Sequence, residues 1–121
     1  MPLLYLLDEN LRGLLWKHVL RHNAKGLDPI DVVRVGDVDE LPLGLEDPDI
    51  LHWCEAHHRI LVSHDENTLP NFFHAHLDNR HHCPGVFLVR DVPFPDVIAF
   101  LAVAAYASDP SEWLDQIHFI P

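Results

Sequence analysis

The chain has 121 residues and a formal net charge of −11, with 48% hydrophobic and 22% charged residues. This composition excludes a disordered chain, the two cysteines exclude a disulfide framework, and no apolar run reaches the roughly 20 residues of a membrane span. We therefore expect a single cytoplasmic domain over residues 1–121, too acidic to bind nucleic acid through lysine and arginine alone.

Short apolar runs alternate with longer amphipathic segments in the first half of the chain. Residues 3–7 form a continuous apolar run, typical of a strand that is buried on both faces. Apolar residues recur at helical spacing over residues 11–22, and Gly26 lies just past the end of this predicted helix. Residues 31–35 are predicted to form a second strand, and residues 36–45, which include two glycines and a proline, a loop.

The second half of the chain continues the alternation. Asp47 or a near neighbour is predicted to cap a helix that ends near His57, and Pro48 suits its first turn. The remaining predicted elements are strands at 60–62, 86–89 and 117–120 and helices within 66–79 and at 95–106. This β-α-β-α-β-α-β-α-β order predicts an α/β fold, in which helices cover both faces of a mainly parallel sheet of about five strands.

Acidic residues follow two of the predicted strands. Asp8 comes directly after the first strand, and Asp65 follows the third. Open parallel sheets bind ligands at the carboxyl ends of their strands, at the point where the strand order reverses. If these two strands are neighbours, their acids converge at that point. Asp47 and Asp49, at the start of the second predicted helix, join them if the preceding loop folds toward the same edge.

Four aspartates at one edge of a sheet would form a site for a hard cation. Carboxylates held close together repel one another, and a bound cation relieves this repulsion. Oxygen-only ligands favour Mg²⁺ or Mn²⁺, which bring a phosphodiester to an acidic surface and activate water. The alternative is that Asp8 and Asp65 only cap helices, while Asp47 and Asp49 are solvated acids at a helix start.

Short motifs, in order and at fitting intervals over nearly the whole chain, resemble those of one protein family. The motifs are residues 6–11 (LLDENL), 31–33 (DVV), 47–54 (DPDILHWC), 59–65 (RILVSHD) and 85–90 (GVFLVR). The family that they resemble is that of the short PIN-like proteins, related to the toxin ribonucleases of bacterial toxin–antitoxin pairs. The resemblance implies a PIN-like three-layer α/β/α sandwich and a Mg²⁺- or Mn²⁺-dependent endoribonuclease. It also implies a small antitoxin partner, and it is compatible with a homodimer.

The resemblance assigns metal-binding roles to the four aspartates, with the acids after the strands as direct ligands. The family commonly has a further acid two residues after the third-strand ligand, where this chain has Asn67. Glu66 is a candidate to replace that acid. Glu9, His64 and Arg90 are further auxiliary candidates, and His64 is suited to phosphate binding when protonated or to proton transfer.

Two other functional classes remain open. Asn67 and the acidic surface favour a PIN-like binding module that has lost catalysis. A phospho-receiver switch also carries acids after its first and third strands. Such a switch requires a lysine at the end of a late strand, and no lysine follows Lys25.

Eleven histidines are unusual in a chain of this length. Several of them are candidates for a zinc or nickel site, but their spacing matches no recognised zinc motif. We therefore interpret them as surface residues. The histidines concerned are His57, His58, His64, His74, His76, His81 and His82, the last preceding Cys83.

Apolar spacing predicts the inner faces of the second and third helices. Cys54 lies on the apolar stripe of the second helix, and we expect it to be buried and unreactive. On the third helix, the predicted inner face consists of Leu69, Phe72, Phe73 and Leu77.

Overall fold

A computed structural model describes residues 2–121 and confirms the predicted alternation of strands and helices. The strands are β1 (Leu4–Leu7), β2 (Asp31–Arg34), β3 (Ile60–Ser63), β4 (Val86–Leu88) and β5 (Ile117–Phe119). The helices are α1 (Leu14–Ala24), α2 (Asp47–His57), α3 (Leu69–Asp78) and α4 (Phe94–Ala107), with 3₁₀ turns at Glu9–Leu11 and Pro110–Glu112. α2 ends at His57 as predicted, and its N-cap is Glu46, the neighbour of Asp47. α1 begins later than predicted because a 3₁₀ turn precedes it.

All five strands pair in parallel, in the order β2-β1-β3-β4-β5. The chain moves from β1 to one side for β2 and to the other side for β3, so the strand order reverses between β1 and β3. Leu7 lies opposite Val62 in this pair, which places the carboxyl ends of the two strands side by side. The expectation that the first and third strands are neighbours is therefore confirmed.

Two apolar layers hold the helices against the sheet. Successive side chains of a strand point to opposite faces. Tyr5 and Leu7 pack on the side of α1 and α4, and Leu6 packs with α2 and α3. The buried Tyr5 hydroxyl donates to the Leu101 carbonyl oxygen of α4 at 2.7 Å, so it does not remain an unsatisfied polar group. The three-layer α/β/α arrangement is confirmed.

The predicted inner faces are confirmed except at one position of α3. Cys54 is fully buried, and Leu69 and Phe73 are buried. Phe72 is 41% exposed, contrary to the prediction, because His76 completes the buried stripe at the spacing i, i+4, i+7 and is only 5% exposed. The interpretation of the histidines as surface residues is therefore wrong for His76. Over residues 2–121, no helix has both the length and the apolar character of a membrane span.

Candidate functional site

An acidic cleft of about 540 Å³ opens where β1 and β3 end. It lies at the reversal of strand order, the place where open parallel sheets bind ligands. Five carboxylates line it, together with a short stretch of loop and one aromatic ring. The lining residues are Asp8, Glu9, Asn10, Gly44, Leu45, Glu46, Asp47, Asp65 and Phe72.

Asp8 is the most deeply buried of these acids, with 6% of its surface exposed. Its backbone N–H continues the sheet by donating to the Val62 carbonyl oxygen at 2.9 Å. Its Oδ1 accepts from the Glu9 N–H and its Oδ2 from the Ser63 hydroxyl, both at 2.8 Å. Burial raises the pKa of the Asp8 carboxyl, the two hydrogen bonds oppose this shift, and the negative charges of Asp65 and Glu9 add to it.

Ser63, the fully buried last residue of β3, connects the two strand ends. Its hydroxyl donates to Asp8 and accepts from the Asp65 N–H at 3.1 Å and from the Asn10 side-chain amide at 3.3 Å. The Ser63 hydroxyl thus connects the Asp8 carboxylate, at the end of β1, to the Asp65 backbone, at the end of β3. We assigned no role to Ser63 from the sequence, although a polar residue that ends an apolar run was a usable signal.

Replacing Ser63 by alanine is expected to lower the free energy of unfolding by about 1–3 kcal/mol. The reason is that Asp8 loses a donor while the Asp65 N–H and the Asn10 amide lose their shared acceptor. Urea unfolding measures the change. The control is Ser111→Ala on an exposed turn, for which we expect less than about 0.5 kcal/mol. Equal stability of the two variants would show that the Ser63 network does not hold the site.

Asp65 is anchored by the residues that lead into α3. Its Oδ1 accepts from the N–H groups of Asn67 at 3.1 Å and Thr68 at 3.0 Å, and its Oδ2 accepts from the Thr68 hydroxyl. The Thr68 hydroxyl bond, followed by the backbone bonds, holds the pKa of Asp65 below its ordinary value. Asp65 therefore caps this turn, as the alternative interpretation expected, and it also lines the cleft.

The start of α2 contributes two acids to the cleft, but they are not the predicted pair. Asp47 is half-buried and lines the cleft, whereas Asp49 is exposed and does not. Glu46, the residue before the helix, lines the cleft instead. The loop before α2 is tied to the first strand end, because the Gly44 N–H donates to the Glu9 carboxylate at 2.6 Å. Glu46 was missed from the sequence, although its place beside Asp47 was a signal.

Asp47 is expected to make folding stability depend on pH. Burial, followed by the charges of Asp8 and Asp65, raises its pKa from an ordinary value of 3.8 to about 6. Between these values the folded chain keeps a proton that the unfolded chain has released. Stability therefore falls as the pH rises from about 4 to about 6, and this contribution is constant above about 6.

The Asp47→Asn variant isolates this contribution. We expect it to be more stable than the wild type by about 1 kcal/mol near pH 7, a value that allows for solvent screening of a half-exposed group, and equally stable near pH 4. Urea unfolding of both proteins at the two pH values measures the difference. If the difference in stability between the variant and the wild type is the same at both pH values, the pKa of Asp47 is not raised.

The auxiliary candidates divide between the acidic cleft and a neighbouring one. Glu9 lines the acidic cleft. The neighbouring cleft has a volume of about 520 Å³ and shares Asn10 with the first. It contains the other four candidates, which are His64, Glu66, Asn67 and Arg90. Since the Arg90 Nε–H donates to the Glu66 carboxylate at 2.7 Å, Glu66 does not supply the missing acid to the acidic cleft.

The donor atoms of the acidic cleft are of the type that a hard divalent cation prefers. Its lining includes carboxylates but no histidine or cysteine, a donor set that suits Mg²⁺ or Mn²⁺. Within residues 2–121, the one group of three metal-binding side chains with ligand atoms within 4.8 Å of one another lies elsewhere. No three of the acids that line the cleft have carboxylate oxygens within 4.8 Å of one another, so a cation there would have one or two direct carboxylate ligands and water for the rest.

Comparison of the chain with protein-family models, with curated proteins and with solved structures found no match. Membership of the PIN-like family therefore stays a prediction from the short motifs. The functional proposal that follows depends on the geometry of this chain.

Proposed function

We propose that the chain is a divalent-metal-dependent endoribonuclease that uses Asp8, Asp47 and Asp65 as its metal-binding acids. The supporting observation is that these acids, from three separate segments, line one cleft at the reversal of strand order. A Mg²⁺ or Mn²⁺ ion held there would supply the positive charge that draws in a phosphodiester, activates water and stabilises the leaving oxygen.

The three acids have different environments, which suit different tasks. Asp65 is held by three hydrogen bonds from the residues before α3 and has a lowered pKa, so it is a fixed, ionised ligand. Asp8 presents a buried carboxylate from the opposite strand end, whose ionised form a cation would stabilise. Asp47, at the start of α2, is placed to complete the ligand set or to orient the attacking water.

The neighbouring cleft offers an RNA strand a route to the acids. Arg90 lines it and provides positive charge, which is scarce in this chain, and His64 offers a ring N–H to phosphate oxygens. Glu66 and Asp91 also line this cleft, so the approach depends on Arg90 and His64 and not on a net positive surface. Arg90 is oriented by its hydrogen bond to Glu66 and by the Phe119 ring, whose centroid lies 4.0 Å from the guanidinium carbon. Phe72, exposed at the acidic cleft, presents a surface on which a base can stack.

Cleavage of a labelled single-stranded RNA by the untagged chain tests the function. We expect cleavage with Mn²⁺ or Mg²⁺, no cleavage with EDTA, and recovery when the metal is returned in excess. Cleavage that persists in EDTA would contradict the metal-dependent mechanism.

The second candidate is a binding module that has kept the fold and lost catalysis. The observation that favours it is that neither Asn67 nor Glu66 adds an acid to the acidic cleft. This function predicts metal binding without RNA cleavage. An antitoxin-like partner and a homodimer stay predictions of the resemblance.

A phospho-receiver is the more remote alternative. Its strand order is the one found here, so the fold does not separate it from a nuclease. Incubation with acetyl phosphate followed by intact-mass analysis does separate them. A lasting adduct that disappears in Asp65→Asn would favour the receiver.

A further inference from the structure

Three histidines and one glutamate form a cluster between α2 and α3 that shares no residue with the acidic cleft. His52 and Glu55 lie one turn apart on α2 and therefore face the same side. His76 comes from the end of α3, and His81 follows that helix. The ring centroids lie 4.9 Å apart for His52 and His76, 4.6 Å for His52 and His81, and 4.9 Å for His76 and His81.

The turn that ends α3 brings His81 back over the helix. Arg80 has a positive φ of 67°, an unfavourable conformation for a residue with a side chain. The Arg80 N–H donates to the Leu77 carbonyl oxygen at 3.0 Å, and the His81 N–H donates to the His76 carbonyl oxygen at 3.2 Å. This pair of bonds is the Schellman pattern of a helix end. It places His81 beside His76 although the two are five residues apart in the chain.

The Glu55 carboxylate lies at the centre of the cluster. Its Oε1 is 3.2 Å from Nε2 of His76 and 3.3 Å from Nδ1 of His81. Its Oε2 accepts from the His82 N–H at 2.8 Å. The hydrogen bond from the His82 N–H, followed by the surrounding imidazoles, lowers the pKa of Glu55.

His76 supports this carboxylate from the buried side. Its Nε2 lies 2.9 Å from the His82 carbonyl oxygen as well as near Glu55. An N–H at this position donates to the carbonyl oxygen of His82, whose own N–H holds Glu55, and the buried ring limits where the carboxylate can move. Buried groups that orient a ligand in this way are typical of metal sites.

We propose that His52, Glu55 and His81 bind a zinc-class transition-metal ion, with His76 orienting Glu55. One ligand atom from each of the three residues lies within 4.8 Å of the other two. Ligand atoms around a tetrahedral zinc ion are about 3.4 Å apart for bonds of about 2.0–2.1 Å, so a pair at the 4.8 Å limit must approach by about 1.4 Å through side-chain rotation. Two imidazoles and one carboxylate, with water as the fourth ligand, are a donor set that zinc accepts.

Zinc differs from the ion proposed for the acidic cleft because imidazole favours borderline transition metals over Mg²⁺. His52 is exposed and the other two ligands are half-buried, so an ion reaches the cluster without opening of the fold. The site does not depend on the nuclease function. The opposing explanation is that hydrogen bonds and ion pairs hold the histidines and Glu55 together without a metal ion.

Calorimetric titration of the untagged full chain with Zn²⁺ tests the site. We expect one equivalent to bind. His52→Ala and His81→Ala should each weaken that binding by at least about 100-fold, and His76→Ala by about 10-fold. His74→Ala, which removes an exposed histidine of α3 outside the cluster, should leave it unchanged. When Co²⁺ replaces Zn²⁺, the visible absorption of the bound ion should be lost most in His52→Ala and His81→Ala, less in His76→Ala, and not at all in His74→Ala.

Three results would overturn the zinc site. The first is an affinity equally reduced by His74→Ala and His52→Ala, which would indicate nonspecific binding to surface histidines. The second is an absence of Zn²⁺ binding by the wild type, which would mean that the cluster is a hydrogen-bonded network without a metal. The third is Zn²⁺ binding that survives His52→Ala and is lost in Asp8→Asn, which would place the ion in the acidic cleft. Since His52 is exposed, its variant is expected to fold, and thermal unfolding without metal verifies this.

Discussion

The Asp8→Asn variant is expected to lose at least about 100-fold in Mn²⁺-dependent RNA cleavage while it keeps its fold. The substitution removes the charge of the most deeply buried acid of the cleft and preserves its shape. The amide loses one of the two hydrogen bonds that Asp8 accepts, but a buried charge is removed as well. We therefore expect the melting temperature without metal to change little. Initial rates and thermal unfolding of the same preparation separate chemistry from folding.

The matched control is Asp49→Asn, on the same helix as Asp47 but outside the cleft. We expect this variant to cleave RNA within about twofold of the wild-type rate, since an exposed acid that contacts no substrate contributes little. If Asp49→Asn loses as much activity as Asp8→Asn, the site extends along α2 as the sequence motif implied. If Asp8→Asn keeps its activity, Asp8 does not bind the metal.

The second large effect expected is stabilisation of the fold by Mn²⁺. A ligand that binds only the folded chain at one hundred times its Kd stabilises it by about 2.7 kcal/mol. In a domain of this size that corresponds to a rise of about 10 °C in the melting temperature. We expect this rise in the wild type and in His52→Ala, which alters only the histidine cluster. In Asp8→Asn the rise should disappear.

The pattern across these variants separates the two proposed metal sites. A rise that disappears in His52→Ala and persists in Asp8→Asn would place Mn²⁺ at the histidine cluster. Equal rises in all three proteins would indicate weak binding to scattered surface acids.

Most of the fold was predictable because the buried strands are encoded locally. Residues 3–7 and 60–62 are continuous apolar runs, and such runs between amphipathic helices have few alternatives to a parallel sheet. The start of α1 was harder to place. Asp8 accepts a hydrogen bond from the Glu9 N–H and caps a 3₁₀ turn, so the regular helix begins only at Leu14.

The candidate site was predictable at the strand ends and less so at α2. Asp8 and Asp65 follow strands that pair in parallel, so one correct assumption about strand order places both. Asp47 and Asp49 are two residues apart on a helix, and their side chains therefore point about 200° apart. Only one of them can face the cleft. The choice between Asp49 and Glu46 depends on a loop whose path follows from tertiary contacts such as that between Glu9 and Gly44.

The positions of the histidines in the sequence could not predict the histidine cluster. Its members lie on two helices and a turn, and their proximity depends on the packing of α2 against α3. His81 joins them only because Arg80 adopts a left-handed conformation. This position is usually occupied by glycine, so an arginine in the sequence does not predict it.

Anomalous diffraction from a crystal of the wild-type chain soaked in Mn²⁺ tests the central claim most directly. We expect an ion in the acidic cleft, bound by the carboxylates of Asp8 and Asp65, with Asp47 in contact either directly or through a water molecule. An acidic cleft without an ion, in a crystal that binds Mn²⁺ elsewhere, would contradict the metal-dependent nuclease.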